Sequence, residues 1–277
     1  MTFAADNYKD FGLYIMAAAQ RAGAAIMDIY GPDMNVRYKA DSSPVTDADL
    51  ASEDILLASL AALMPGVPVI SEEQAAANIF PETGSTYFVV DPLDGTKEFL
   101  KLNGEFCINV GLVNGGKAIF GLLFGPAKAD CFVTLAPGKA YRCEMQPSHN
   151  PPLTGGFDFT PLTGKAADRP FTALVSRSHL KPDTVAFLES HGNPGTLNMG
   201  SALKFGLLAA GVADVYPRHG PTNEWDTAAG QAILEAVGGC VTTLDGKPLL
   251  YGKKEQSFKN PPFIAWRRPP EALFKLP

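Results

Sequence analysis

The stretch V-V-D-P-L-D-G-T-K-E-F, residues 89–99, sets two carboxylates three residues apart directly after a β-branched pair. Val89 and Val90 have the character of a buried strand, Pro92 cannot donate to a ladder, and Gly95 permits a tight turn. Asp91 and Asp94 therefore fall where a strand ends and a turn begins, and both can face one point with the Leu93 carbonyl between them. Hard cations such as Mg²⁺ take carboxylate, carbonyl and water oxygens, whereas two adjacent carboxylates without a cation or proton repel. Alone, D-x-x-D-G is equally an Asx turn with solvated acids.

Other acids join it. Glu72 and Glu73 in V-I-S-E-E-Q also follow a short apolar run, which delivers carboxylates from a second strand end, although a lone Glu pair is an ordinary surface feature. In N-E-W-D-T-A-A-G the apolar stripe that follows makes Asp226 the expected N-cap of a helix, with one oxygen left for a cation. Asp49, in V-T-D-A-D, reads as an acid in the positive first turn of a helix capped by Thr46. The amides of Gly95, Thr96 and Lys97 are placed to form an anion-binding nest, and a metal beside a nest means phosphate. There is no G-x-x-x-x-G-K-[ST] loop and no EF-hand spacing.

Anion-binding residue types recur in the second half. The apolar run 171–176 leads into Ser176, Arg177, Ser178 and His179, a polar cluster suited to an anionic or ribose-bearing ligand, or simply a solvated loop. N-M-G-S-A-L-K-F opens a helix at Gly200 and Ser201 whose N-terminal amides can receive a phosphate, with Lys204 one turn in. Arg177 and Arg218 are further candidates, as guanidinium partners for a second phosphate.

The elements that must position these residues can be read from periodicity. Helices are expected over 8–30, from Thr46 to the Pro65-Gly66 stop, from about 181, near 201–210, and from Asp226 to about Val237. β-type runs at 67–70, 87–90, 106–113, 118–124 and 131–136 give the first half, 1–150, the look of helices on a largely antiparallel sheet. A Pro/Gly-rich stretch near 145–170 suggests a boundary, and 165–277 alternates strand and helix as an α/β layer.

Composition sets outer limits. With 277 residues, 46% hydrophobic, the chain can bury a sizeable core. A formal charge of −6 argues against bulk binding to nucleic acid or an anionic membrane, so an anionic ligand needs a local basic pocket. Cys107, Cys131, Cys143 and Cys240 show no metal-binding spacing and read as reduced thiols, mostly in the core. No signal peptide or membrane-span pattern is present, and a cytoplasmic protein is expected.

Taken together, D-P-L-D-G-T, the preceding S-E-E, V-T-D-A-D and the late W-D-T-A-A-G resemble the inositol monophosphatase superfamily of Mg²⁺-dependent, lithium-sensitive phosphatases. The resemblance implies an αβαβα sandwich, and metal ligands at Glu72, Asp91, the Leu93 carbonyl, Asp94 and Asp226 for two or three Mg²⁺ ions. It also implies that Asp49 and Thr96, with Glu72, orient and deprotonate the attacking water. Within the family, D-P-L-D-G-T-K-E-F, S-R-S-H, G-S-A-L-K-F and Y-P-R-H-G-P-T-N-E-W-D-T-A-A-G more narrowly resemble the bacterial members that remove the 3′-phosphate of adenosine 3′,5′-bisphosphate. Inositol-specific members more usually read D-P-[IL]-D-G-T-x-N-F. In that resemblance Ser176, His179, Gly200 and Lys204 match nucleotide-contacting positions, beside Glu72, Leu93, Asp94, Gly95, Thr96 and Asp226 at the phosphate, and the implied role is nucleotide recycling in sulfur metabolism. Peripheral contact with the inner membrane is left open. An inositol or broader sugar-phosphate phosphatase is the alternative. A non-catalytic metal- or nucleotide-binding module would have lost a ligand or the Thr96–Asp49 pair, and neither is lost.

Overall fold

The computed structural model describes residues 7–39, 44–152, 156–166, 168–177 and 181–273. In chain order its first part comprises α1 (Tyr8–Ile29), β1 (Val36–Tyr38), β2 (Pro44–Thr46), α2 (Asp47–Leu63), β3 (Val69–Ser71), α3 (Glu72–Ala76), β4 (Thr86–Asp94) and α4 (Thr96–Leu100). There follow β5 (Cys107–Asn114), β6 (Lys117–Gly125), β7 (Asp130–Ala136), β8 (Lys139–Glu144) and β9 (Thr160–Pro161). The second part comprises β10 (Thr172–Ser176), α5 (Pro182–Ser190), β11 (Gly195–Met199), α6 (Leu203–Ala209), β12 (Val215–Arg218) and β13 (Thr222–Asn223). A 3₁₀ turn, Glu224–Asp226, then leads into α7 (Ala228–Ala236), β14 (Cys240–Thr243), β15 (Lys259–Asn260), β16 (Phe263–Trp266) and α8 (Pro270–Leu273).

Seven strands, β3 to β9 in sequence order, form the first sheet; β3 and β4 are parallel and every other pair is antiparallel. Its period-two pattern sends Ile108, Val110, Leu112, Phe120, Leu122, Phe124, Cys131 and Val133 to one face, into the core shared with α1 and α2. Cys107, Leu123 and Phe132 point the other way, into a second core with α6, α7 and the second sheet. That sheet has the order β11-β10-β12-β16-β14, and on its far side Phe187 and Leu188 of α5 pack against Ala173, Val215, Ile264 and Trp266. The layers are thus α, β, α, β, α, as expected. Sequence periodicity misses β8, β11, β14 and β16, which are short or carry polar residues on their exposed positions. The Pro/Gly-rich stretch also returns β9 to the first sheet, which therefore runs to Pro161.

Glycine decides where the middle helix layer lies. A Cβ at Gly121 in β6 would sit 2.0 Å from the Ala229 carbonyl oxygen. The first turn of α7 therefore rests directly on the sheet, and the 3₁₀ turn that carries Asp226 is brought to the edge where β3 and β4 end.

Candidate active site

The parallel register of β3 and β4 pairs Ser71 with Val90, so the next residues along each strand, Glu72 and Asp91, emerge side by side. β4 does not end at Asp91 as the sequence suggests. It continues to Asp94 through a bulge, Asp91 pairing with Asn109 and Asp94 with Cys107, because Pro92 cannot donate to the ladder. The Asx-type contact is present too: the Leu93 N–H donates to Asp91 Oδ1 at 3.0 Å. Carboxylate oxygens of Glu72, Asp91 and Asp226 all lie within 4.8 Å of one another. Asp226 is not the N-cap of α7, a place taken by Thr227; its Oδ2 accepts the Asn223 N–H at 2.7 Å within the capping box of the 3₁₀ turn. The extra turn between Asn223 and α7 is what carries this carboxylate across to the strand ends.

Such a cluster is electrostatically expensive without a cation. Burial, then repulsion from Glu72, Asp94 and Asp226, pushes the Asp91 carboxyl well above the carboxylate range. Asp226 moves the same way through burial and the charges of Asp94 and Glu72. The donors are all hard oxygens, with the Leu93 carbonyl adjacent, and this set fits a Mg²⁺-type ion rather than a soft metal. Asp94 lines the same cavity but stands outside the tight trio. Its Oδ2 accepts the Ala202 N–H, and its pKa, raised by burial, is held back by the Lys204 ammonium and that amide.

Beside the cluster lies a relay of hydroxyls and one carboxylate. Thr46 caps α2 as expected, and Asp49 Oδ2 accepts both the Thr46 N–H and the Thr46 hydroxyl at 2.7 Å. This fixes the carboxylate so that Oδ1 faces the Thr96 hydroxyl, 3.3 Å away, which is also 3.4 Å from the Leu93 carbonyl oxygen. Asp49 is 1% exposed, and burial lifts its pKa to about 6 against the opposing hydrogen bonds from Thr46. An acid that titrates there is suited to taking a proton at neutral pH.

The sequence profile of the inositol monophosphatase family matches residues 10–269. The chain belongs to the inositol monophosphatase family. It is 41% identical over 247 residues to the 3′(2′),5′-bisphosphate nucleotidases CysQ of Shigella flexneri and Escherichia coli K12, covering 88% of this chain and 95% of each relative. The fold matches the crystal structure of CysQ from Bacteroides thetaiotaomicron with a TM-score of 0.79 at 34% identity, over 96% of this chain and 99% of that one. An inositol monophosphatase of Thermotoga maritima, at 21% identity, shares the fold with a TM-score of 0.68 over 91% of this chain and 90% of its own.

In this family member the carboxylate cluster opens into a cavity of about 330 Å³ that brings together most of the residues singled out from sequence. Glu72, Asp91, Leu93, Asp94, Gly95, Thr96, Asp226, Ser176, Gly200, Lys204 and Arg218 all line it. Asp49 sits behind Thr96, and His179 lies outside the described residues. Lys204 is buried, and its ammonium donates to the Met199 carbonyl at 3.2 Å and to the Ser201 carbonyl. Burial, opposed by the Asp94 charge, brings its pKa down to about 8. Arg218 Nε is buried without an acceptor among the described residues.

Two expectations change. Arg177 does not line the cavity; its guanidinium forks onto Glu105, both bonds 2.8 Å, because Glu105 lies across from the end of β10. The Gly200 amide is not open to a phosphate, since it donates to Glu105 Oε2 at 2.9 Å, and the Ala202 amide is held by Asp94. Conversely, sequence reasoning passes over Lys39. Its side chain is only 9% exposed, and the ammonium lies 2.6 Å from Glu72 Oε1 and 2.7 Å from Glu73 Oε1. Burial works to lower its pKa, but the two carboxylates outweigh it and hold the group above its ordinary value. No local pattern marks R-Y-K as adjacent to S-E-E; the contact joins residues more than thirty positions apart. Glu73 is pushed up to about 7 by burial and by the charge of Glu72.

Proposed function

We propose that this protein is a metal-dependent phosphatase that hydrolyses the 3′-phosphate of adenosine 3′,5′-bisphosphate to AMP and phosphate. The observation that carries this reading is the Glu72–Asp91–Asp226 cluster beside the Thr96–Asp49 pair, in a chain whose relatives at 41% identity are bisphosphate nucleotidases. Glu72, Asp91, the Leu93 carbonyl, Asp94 and Asp226 would hold two or three Mg²⁺ ions, which when bound supply charge neutralisation at the phosphate and acidify water for in-line attack.

The chain's own groups do the rest. Thr96 Oγ1 accepts a proton from the attacking water while its own proton passes to Asp49 Oδ1, the oxygen that Thr46 leaves available. Asp49 then holds that proton behind the reacting phosphate, out of bulk water. Lys204 and Arg218 supply local positive charge in the cavity lining, which a protein of net charge −6 needs in order to take a doubly phosphorylated nucleotide. Ser176 and His179 complete the proposed nucleotide contacts, and Glu72 is shared between metal and water. We also propose that the protein is cytoplasmic. Among the described residues no helix is long and apolar enough to cross a membrane.

The deciding experiment is turnover with Mg²⁺ of adenosine 3′,5′-bisphosphate and inositol 1-phosphate side by side. Faster release of phosphate from the nucleotide is expected. Faster hydrolysis of the inositol ester would overturn the substrate assignment, and binding of the nucleotide without phosphate release would leave only a binding module.

A further inference from the structure

The short motif N-G-E at 103–105 and Arg177, both outside the phosphatase chemistry, meet in one side-chain cluster. The Glu105 N–H donates to Asn103 Oδ1 at 2.9 Å, and the Gly104 N–H donates to the Tyr30 hydroxyl at 3.0 Å, so the approach of Glu105 is fixed from two sides. Glu105 Oε2 accepts Arg177 Nε at 2.8 Å and the Gly200 N–H at 2.9 Å, while Oε1 accepts Arg177 Nη2 at 2.8 Å. Arg177 Nη2 also donates to the Asn198 carbonyl at 3.0 Å. The parallel pairing of Ser176 with Met199 is what brings Arg177 alongside Asn198.

The bond to Gly200 holds a strap, Gly200–Ala202, between β11 and α6. Its other end is held by the catalytic cavity, the Ala202 N–H on Asp94 and the Met199 and Ser201 carbonyls on the Lys204 ammonium. Within the strap Ser201 has φ +46°, a conformation that a residue with a Cβ adopts only where its surroundings over-determine it. Contact with the N-G-E turn is close as well: a Cβ at Gly200 would come 2.6 Å from the Glu105 carbonyl oxygen and 2.7 Å from Glu98 Cγ.

We infer that Glu105 and Arg177 form a positioning clamp that fixes the Gly200–Ser201 wall of the cavity and so sets the fit of the nucleoside, with Arg177 acting through Glu105 and not on a phosphate. The inference rests on the proposed nucleotide substrate for its kinetic readout and on the backbone alone for its structural one. Arg177 is a positioning residue, and its partner's carboxylate is the group that holds the wall.

The test compares Arg177→Gln, Glu105→Gln and the double variant with the wild-type enzyme. Hydrogen exchange should quicken across 198–202 in both single variants. KM should rise about tenfold for adenosine 3′,5′-bisphosphate and equally for adenosine 3′-monophosphate, with kcat little changed, because the lost fit is to the nucleoside. The double variant should be no worse than Glu105→Gln alone, since Arg177 acts through Glu105. A direct phosphate contact predicts the opposite pattern: Arg177→Gln would raise KM for the bisphosphate only, and Glu105→Gln, by releasing the guanidinium, would lower it. That pattern, or unchanged exchange at 198–202 in both variants, overturns the clamp. Arg177→Lys, which keeps the charge and one bond to Glu105, should give intermediate exchange and secures the comparison where a Gln variant folds poorly. A wild-type enzyme inactive on both adenosine esters would sink the substrate reading while the exchange result still decides the clamp.

Discussion

Burial gives Asp49, a helix-end acid, the raised pKa that its proposed role as a base requires. Its place in the first turn of α2, with Thr46 as cap, would suit an ordinary structural carboxylate, and sequence alone leaves the two readings level. What separates them is tertiary: 1% exposure, and the Thr96 hydroxyl 3.3 Å from the one oxygen that Thr46 does not hold. Asp49→Asn should lower kcat about 100-fold or more while Mg²⁺ affinity, measured by calorimetry, stays within a few-fold of wild type. Retention of full kcat would remove Asp49 from the proton path. The same burial predicts a stability effect in the metal-free protein. With a pKa raised from 3.8 to about 6, the folded state holds a proton across that interval which the unfolded chain has released. Asp49 therefore favours the fold most below pH 4, and this contribution is lost as the pH rises through about 6. Wild type should gain stability relative to Asp49→Asn on acidification through that window, as read from denaturant midpoints.

The element that makes the site is α7 together with the 3₁₀ turn before it. W-D-T-A-A-G announces a helix start, but nothing in it says that Ala229 touches β6, or that Gly121 is the reason it can. Gly121→Ala should destabilise the fold by about 1–3 kcal/mol through overpacking, and should also weaken Mg²⁺ binding, since the backbone that must move carries Asp226. Gly84→Ala, with nothing within 4 Å of the added methyl, should change neither. Equal Mg²⁺ affinity in both variants would show that the seat of α7 does not position Asp226. The strand ends and their carboxylates were legible because Pro and Gly punctuate them at fixed offsets. Pairing was not: the register that sets Glu72 beside Asp91 is a long-range choice, as are the contacts of Lys39, Glu105 and Arg177. The sequence placed Arg177 among phosphate ligands by residue type, and only its distance to Glu105 corrects this.

Across the whole molecule, two sheets, packed through α6 and α7, bring three carboxylates from the edge of one half and the helix layer of the other into a single charge cluster. The fold thus stores repulsion at the proposed cation site, and only part of it is relieved by Lys39 on Glu72 and Glu73. Mg²⁺ at 100 times its Kd stabilises a folded protein by about 2.7 kcal/mol, which for a chain of 277 residues corresponds to roughly 5 °C in Tm. Chelation at pH 7.5 should therefore lower Tm by an amount of that order. Because the pKa values of Asp91 and Asp226 are raised, the metal-free native state keeps protons that the unfolded chain releases, and its own stability falls as the pH rises above the ordinary carboxylate range. The gain from Mg²⁺ should accordingly grow from pH 5 to pH 8. Asp91→Asn separates the two contributions with opposite signs: its metal-free form should melt above metal-free wild type at pH 7.5, having lost a buried carboxyl that the fold makes costly to ionise, yet gain little on adding Mg²⁺. A variant that melts lower without metal and gains as much as wild type with it would show that Asp91 is held by the protein alone and is not part of the cation site.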